Sequence, residues 1–547
     1  MDGSRMAAGK TFAVRRIGRG AVDDANLEFL SDNGNLCESR SAAIVSERAR
    51  PAASKPAAAT LLGAAAARPA RGRGRRREPL SARVRNADAG RRSPIDWNSY
   101  GGERLEIRRL TRGSLIETCD CKFLYDVLLF HYNCFRSKGS SVRKNVLVIG
   151  CGTEIYRGYI IKSVSERYNV FIISATDATW AEPYAAQILY VDENSPTSLF
   201  ECVKELRGRH PIDGVMTCEE RYVELTTAVA LDLELPCNSL ESAFLCRDKY
   251  GMRSAFARNG VATASCVLVH DADGARKAAE EIGFPFVVKP RDMSGSIGVR
   301  RVDDLRSLEE HLESLSKVLS SGATRRKGFL VEEFLEGPEV SVECVVLDGR
   351  PEVVAITRKT VGFDPFFEEL GHVVAPREPL AETRAIVEVV RAAHEALEIR
   401  RGVTHAELRL TPQGPRMIEI AQRLGGDRIP ELVHLATGVD LAMAAADVAV
   451  GGVPDLAPRS GRAAAVRFVY PPYDCRMRGL PPNEALMAIP GIRELGWIAE
   501  AGSVHRLPPG GYLARLALVV AEGATGEDCL RTLDAAERML ELDLLPA

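Results

Sequence analysis

Lys289 ends an apolar, β-rich run, Phe284-Pro-Phe-Val-Val-Lys289-Pro, and a loop of small residues, Met293-Ser-Gly-Ser-Ile-Gly298, follows at once. A lysine at a strand end would by itself be a solvated terminus. The loop behind it changes that, because Ser294, Gly295, Ser296 and Gly298 can bring backbone N–H groups against phosphate oxygens without side-chain obstruction. Further on, Glu407 in His405-Ala-Glu407-Leu-Arg-Leu precedes Glu419 in Met417-Ile-Glu419-Ile-Ala-Gln-Arg423-Leu-Gly-Gly426. Leu408 to Leu410 and Met417 to Ile420 read as antiparallel neighbours joined by the turn Thr411-Pro-Gln-Gly-Pro415. Cross-strand neighbours lie about 5 Å apart, so the two carboxylates could share one or two magnesium ions. Their mutual repulsion would itself favour a bound cation. A lysine, an N–H-rich loop and two acidic strand residues are what a magnesium–nucleotide site requires.

This order of signals resembles the ATP-grasp superfamily, ligases that activate a carboxylate as an acyl-phosphate and then join it to an amine. The resemblance spans roughly residues 145 to 540 and implies ATP and Mg2+ (or Mn2+) as cofactors. It implies two phosphate-binding lysines, Lys249 on the helix before the small lobe and Lys289 ahead of the loop. The hinge Val331-Glu332-Glu333-Phe334-Leu335 would hydrogen-bond the adenine edge, with Glu332 taking the exocyclic amine. Glu339, after Gly337-Pro338, would accept from the ribose hydroxyls. Glu407 and Glu419 become the metal pair. One departure is Ala421, where the family often has asparagine, so a second metal would rely on Glu407, Glu419, phosphate oxygens and water, with Gln422 as a substitute. Within the superfamily the chain is similar to bacterial L-amino-acid ligases that form dipeptides. That similarity implies that Arg423 and the Gly426 N–H stabilise developing oxygen charge. It also implies that Glu369 and His372, in Phe367-Glu368-Glu369-Leu-Gly-His372, line the amino-acid pocket, with Glu369 on the ammonium of the first amino acid and His372 on the acceptor side.

The implied reaction is ATP-dependent amide formation from an amino-acid carboxylate, releasing ADP and phosphate. The alternatives are a purine-biosynthetic or biotin-carboxylase-like member, and a nucleotide-binding regulatory protein that has lost turnover. No biotin-carrier Met-Lys-Met segment is present. The expected partners are a small-molecule amino acid or carboxylate and an amine, and a homodimer would match many members of the superfamily.

These residues need elements to hold them. The 547-residue chain is too long for one core. Asn145-Val-Leu-Val-Ile-Gly150-Cys-Gly152 reads as a buried strand entering a glycine turn. Helix near Ile160 to Glu166, strand at Asn169 to Ser174, strand at Gln187 to Asp192 and helix through Tyr222 to Leu231 follow, an alternation that predicts a doubly wound parallel sheet. A dinucleotide fingerprint would need a third glycine where Ile155 stands, which removes an NAD-dependent oxidoreductase. Asn238 to Glu241 reads as a capped start of a helix running through Asp248 to Gly260. The expected organisation is a basic tail over 1–100, an unassigned segment over 101–143 and a Rossmann-like domain over 144–240. An ATP-grasp domain over 241–451, its small lobe about 261–332, and a C-terminal α/β subdomain over 452–547 complete it. An amphipathic helix is expected from Gly526 to Leu542.

From Arg40 to Arg92 there are 14 Arg and Lys against 3 acidic residues, in a chain of formal charge −2. Such a stretch buries too little apolar surface to order itself and reads as a solvated tail, not a nucleic-acid arm. The 13 cysteines are odd in number and irregularly spaced, as in reduced cytoplasmic thiols. Cys119-Asp-Cys121 with Cys134 would make half a zinc site, and no partner pair follows. No apolar stretch reaches the length of a membrane span.

Overall fold

The computed structural model describes residues 143–547, except 193–194, 321–323 and 483. The basic tail, the segment over 101–142 and Cys119, Cys121 and Cys134 lie outside the described residues. A parallel sheet opens the described chain: β1 (Asn145–Ile149), β2 (Asn169–Ser174), β3 (Ala185–Tyr190) and β4 (Gly214–Met216), in spatial order β3-β2-β1-β4. Helix α1 (Glu154–Arg167) joins β1 to β2, α2 (Pro196–Arg209) joins β3 to β4, and α3 (Val223–Asp232) follows β4. Val146 and Val148 of β1 pack with Ile160, Ile161 and Val164 of α1, while Leu147 and Ile149 face Val203 and Leu206 of α2 and Val229 of α3. A strand covered on both faces has to be an unbroken apolar run, and β1 is one. Gly150 turns the chain at φ 72°, and a Cβ there would lie 2.4 Å from the Tyr222 ring. The turn delivers Gly152, Thr153 and the start of α1 to the carboxyl ends of the strands, the edge where open α/β sheets bind ligands.

The linking segment differs from expectation. Ser239, not Asn238, caps the next helix by accepting from the Ser242 N–H. The Asn238 side-chain carbonyl instead accepts from the N–H groups of Arg400 and Arg401, pinning the segment to the large lobe. The helix is also two helices, α4 (Leu240–Arg247) and α5 (Lys249–Arg258). Asp248 breaks it, closing α4 in extended conformation and capping α5 through the Tyr250 N–H. The break places Lys249 at the first position of α5.

The small lobe has β5 (Cys266–Val269), α6 (Ala272–Ile282), β6 (Phe286–Pro290), β7 (Arg300–Val302), α7 (Leu305–Ser320) and β8 (Phe329–Glu333). Its antiparallel sheet runs β5-β8-β6-β7, with Phe286 and Val288 of β6 buried against both helices. Next come β9 (Glu339–Leu347), β10 (Arg350–Gly362), β11 (Glu368–Val374), α8 (Thr383–Ala396), β12 (Gly402–Thr411), β13 (Gly414–Ala421), α9 (Ile429–Thr437) and α10 (Leu441–Ala449). The chain ends with β14 (Ala463–Val469), β15 (Cys475–Met477), α11 (Glu484–Met487), β16 (Ile492–Trp497), β17 (Val504–His505), β18 (Ala517–Gly523), α12 (Gly526–Met539) and β19 (Leu544–Pro546).

Eight strands form one antiparallel sheet in the order β13-β12-β9-β10-β11-β14-β18-β16, and β17-β15-β19 form a small one. Three of the strands from Ala463 onward, β14, β16 and β18, thus extend the sheet that β9 begins. Ile386, Val390 and Ala393 of α8 pack on one face, and buried residues of α9 and α10 pack on the other. The β12–β13 hairpin is tighter than the expected five-residue turn, with Thr411 paired to Gly414. Among the described residues no single helix is long and apolar enough to cross a membrane, and the nine described cysteines are all free.

Candidate functional site

Alternating side chains give one face of the large sheet a row of charge. Across five neighbouring strands stand Glu419 (β13), Glu407 (β12), Glu339 (β9), Lys359 (β10) and Glu369 (β11). All line a cavity of about 850 Å³ between the lobes and the parallel sheet. Glu407 and Glu419 are register partners, so the sequence pairing and the observed pairing coincide. Their charges are not left to repel. Lys359 Nζ lies 2.5 Å from Glu407, 2.6 Å from Glu369 and 2.8 Å from Glu339. Lys249 Nζ lies 2.9 Å from Glu419. Two lysines therefore do what repulsion alone suggested a metal must do.

The protons in this row follow from burial and neighbours. Burial works against the Lys359 charge, but Glu339, Glu369 and Glu407 outweigh it and raise its pKa well above the usual lysine value. Burial likewise opposes ionisation of Glu407, yet Lys359 and His405 hold its pKa well down. His405 sits between Glu343 (2.7 Å) and Glu407 (3.2 Å), which against burial push its pKa up to about 10, so it is an imidazolium at neutral pH. Glu369 goes the other way. Burial, helped by Asp427 and Glu407 and opposed by Lys359, raises its carboxyl to about 8. Glu407 and Glu419 are hard carboxylate donors on the cavity floor and fit a magnesium ion. Among the described residues Glu339, Glu369 and Glu407 also converge closely enough to hold a cation, a cluster that shares only Glu407 with the expected pair.

The small lobe supplies positive charge opposite this floor. β6 delivers Lys289, buried, with Nζ 2.6 Å from Glu332 of β8. Glu332 also meets Arg253 of α5 at 3.1 Å. Burial opposes ionisation of Glu332, but Arg253 and Lys289 keep its pKa lowered, while burial lowers that of Lys289. Two cations against one anion leave a net positive wall. The loop behind it turns through positive φ at Gly295, Ser296 and Gly298. Gly298 lies outside the cavity lining and serves the turn: a Cβ there would stand 2.9 Å from Pro290. Lys249 also donates to the Met293 carbonyl at 2.6 Å, tying the loop to α5. Phe334 and Leu335 line the hinge side, and Phe334 stacks on Phe367. The hinge needs Gly337, where φ is 137° and a Cβ would lie 2.1 Å from the Leu410 carbonyl oxygen.

At the far end of the row, Asp427 (φ 52°) receives a bidentate pair from Arg515, at 2.6 and 2.7 Å. Arg515 stacks over Phe468 at 3.7 Å and reaches Glu369 at 3.4 Å. His372 stands behind this group and does not line the cavity. Its Nε2 is 3.2 Å from Asp427, and burial lowers its pKa. Arg423 forms an ion pair with Glu220 (Nε to carboxylate 2.5 Å) without hydrogen-bond geometry, donates from Nη1 to the Leu424 carbonyl at 2.6 Å, and lines the cavity with Gly426. Burial opposes ionisation of Glu220, but Arg423 and Arg247 hold it at about 2. One substitution proposed from sequence fails. Gln422 accepts from Asn238 and donates to Ser242, which turns it away from the metal pair, and Ala421 is buried.

Fourteen of the sixteen residues singled out from sequence line one cavity; Gly298 and His372 do not. Sequence reasoning passed over Lys359, His405, Asp427 and Arg515. His405 shares the strand face of Glu407 at a spacing of two, a signal that was present. Lys359 sits in β10 and Arg515 in the segment just before β18, outside every motif, and only the sheet order brings them in.

The cavity between an antiparallel small lobe and a long antiparallel sheet, with lysines opposite a carboxylate row, defines a class. Residues 282–431 match the ATP-grasp domain family, and the chain has the ATP-grasp fold. It is 29% identical over 429 residues to the uncharacterized protein y4rH of Sinorhizobium fredii, covering 76% of this chain and 86% of that one. It is 28% identical over 357 residues to an alanine–anticapsin ligase of Bacillus subtilis, covering 56% of this chain and 74% of that one. The crystal structure of an L-amino acid ligase from Bacillus licheniformis shares the fold, with a TM-score of 0.64 at 24% identity over 75% of this chain and 100% of that one.

Proposed function

We propose that this protein joins the carboxylate of an α-amino acid to an amine through an acyl-phosphate, converting ATP to ADP and phosphate. The observation that carries the reading is the ordered row from Glu419 to Glu369, which runs from the lysine-rich phosphate wall to the Asp427–Arg515 pair. Lys289, Lys249 and the backbone N–H groups of Ser294 to Ser296 hold the phosphate tail. Glu407 and Glu419 would hold magnesium, which when bound neutralises phosphate oxygens. Phe334 and Leu335 flank the base, and Glu339 reaches the ribose.

The donor amino acid lies along the row with its ammonium at Glu369, where the Lys359 ammonium already shows the fit of a cation between these carboxylates. Its carboxylate oxygen attacks the γ-phosphorus, the bond to ADP breaks, and the acyl-phosphate forms. The amine nitrogen then attacks the carbonyl carbon. The oxygen charge that develops meets the Arg423 guanidinium and the Gly426 N–H, donors in place before the reaction begins. Phosphate leaves with the electron pair of the acyl–oxygen bond, the nitrogen loses a proton, and the amide remains. The Glu220 carboxylate holds the Arg423 guanidinium in place by its charge. The test is hydroxylamine trapping over the twenty amino acids with product analysis. Donor-dependent hydroxamate with stoichiometric ADP supports the reading, and AMP with pyrophosphate overturns it.

A further inference from the structure

On one face of β9 and β12 the side chains meet in register: Arg409 with Glu339, Glu407 with Ser341, and His405 with Glu343. Neither Glu343 nor His405 has a part in the reaction proposed above. Glu343 is fully buried, accepts from the Ser341 hydroxyl at 2.9 Å and faces His405 Nδ1 at 2.7 Å. Its Oε2 has no hydrogen-bond partner among the described residues. A carboxylate sunk this far is tolerated only with a cation beside it, and His405 is that cation. The chain also makes room for the pair. Gly425 lies against it, where a Cβ would stand 3.1 Å from both Glu343 Oε2 and His405 Nδ1. Gly425 is not among the residues of positive φ, so the close approach, not the backbone, explains a glycine there.

The other ring nitrogen shows what the pair holds. His405 Nε2 lies 3.2 Å from Glu407 Oε1, so a carboxylate faces each nitrogen. Ionised carboxylates only accept, and both nitrogens therefore donate. Lys359 donates to the same Glu407 Oε1 at 2.5 Å. Oε1 is thus held from two sides, while no hydrogen bond among the described residues reaches Oε2. The two donors differ in stiffness. The lysine chain is long and shared with Glu339 and Glu369. The histidine ring is short, stands two residues from Glu407 on the same strand and is fixed at its far nitrogen.

We infer that His405, anchored by Glu343, is a positioning residue that keeps Glu407 Oε1 engaged and leaves Oε2 as the one oxygen offered to the divalent cation. This rests on the metal role given to Glu407 in the ligase reading and deepens it. Groups that hold a metal ligand from behind change metal affinity by about 10–100-fold. Magnesium and manganese keep strict octahedral geometry, so a carboxylate fixed to one oxygen at one angle suits them.

Two neutral variants separate the contacts. In His405→Asn the amide nitrogen falls near the Nδ1 position and keeps Glu343; in His405→Gln it reaches the Nε2 position and keeps Glu407. Both remove the same charge, so a difference between them reports the contact to Glu407. The full chain is titrated with ADP by calorimetry, once in EDTA and once in MnCl2. The unaltered protein is expected to bind ADP at least about tenfold more tightly in MnCl2. That ratio is expected to fall below about threefold in His405→Asn and to stay within about threefold of the unaltered value in His405→Gln. Affinity in EDTA should change little in either, which a general structural defect would not allow. Equal ratios in the two variants overturn the inference. If His405→Asn fails to fold, judged by its melting curve, Gly425→Ala decides, because it presses on the pair with every charge in place: a lowered ratio supports the inference and an unchanged one overturns it. ADP binding to the unaltered protein that is indifferent to Mn2+ overturns the metal role of Glu407 in the ligase reading, and the inference with it.

Discussion

Replacing Lys359 with methionine keeps length and volume and removes one charge from beneath three carboxylates. Its side chain is 2% exposed, and Nζ lies within 2.8 Å of Glu339, Glu369 and Glu407. Removing one partner of a buried ion pair costs about 3–5 kcal/mol, because the remaining charge is uncompensated. Here the lower end applies. Glu339 keeps Arg409 at 3.0 Å, Glu407 keeps His405, and Glu369 can take up a proton. A loss of about 3 kcal/mol lowers Tm by roughly 3–4 °C for about 400 cooperatively folded residues, at about 1.2 °C per kcal/mol. The assay is a thermal melt in EDTA at pH 7.5, repeated with MgCl2, which should restore part of the loss by supplying positive charge to the same oxygens. A variant melting within about 1 °C of the parent in EDTA would refute the assignment of Lys359 as the cation that neutralises this row.

Glu419→Gln should nearly abolish amide formation while leaving the melting temperature close to that of the parent, measured by product formation and a thermal melt. Glu369→Gln should raise the donor KM at least tenfold, about 1.4 kcal/mol, with the KM for ATP little moved. Because the Glu369 carboxyl is raised to about 8, its anion forms as pH rises through that value. The donor KM should therefore fall between pH 7 and 8.5, and the glutamine variant should be flat over that range in steady-state assays. Gly337→Ala should cost at least about 2 kcal/mol in urea denaturation, since any Cβ there meets the Leu410 carbonyl at unfavourable φ.

What the sequence made legible was local. Lys289 and its loop, the Glu407–Glu419 hairpin and the all-buried β1 each declare themselves within a few residues, through strand period, small residues and turn chemistry. The Asp248 break shows the limit of that reading. Helical propensity runs through it, but its side chain caps α5 and binds Arg291 at 2.5 and 2.6 Å, a contact from the small lobe. Lys359 and Arg515 were invisible for a related reason. Their roles come from the sheet order, which sets β10 and the segment leading into β18 beside β11, and an isolated lysine in a β-branched run looks like a solvated edge until its neighbours are known. Gln422 erred in the opposite direction: near the metal pair in sequence, it faces the other side of the strand end.

The account stands or falls on the acyl-phosphate. With a donor amino acid carrying 18O in both carboxylate oxygens, each turnover should transfer one labelled oxygen to the released inorganic phosphate, with the other retained in the amide. Mass spectrometry of the phosphate reads this directly. Label absent from phosphate while amide forms, or label found in AMP, would contradict attack of the carboxylate on the γ-phosphorus.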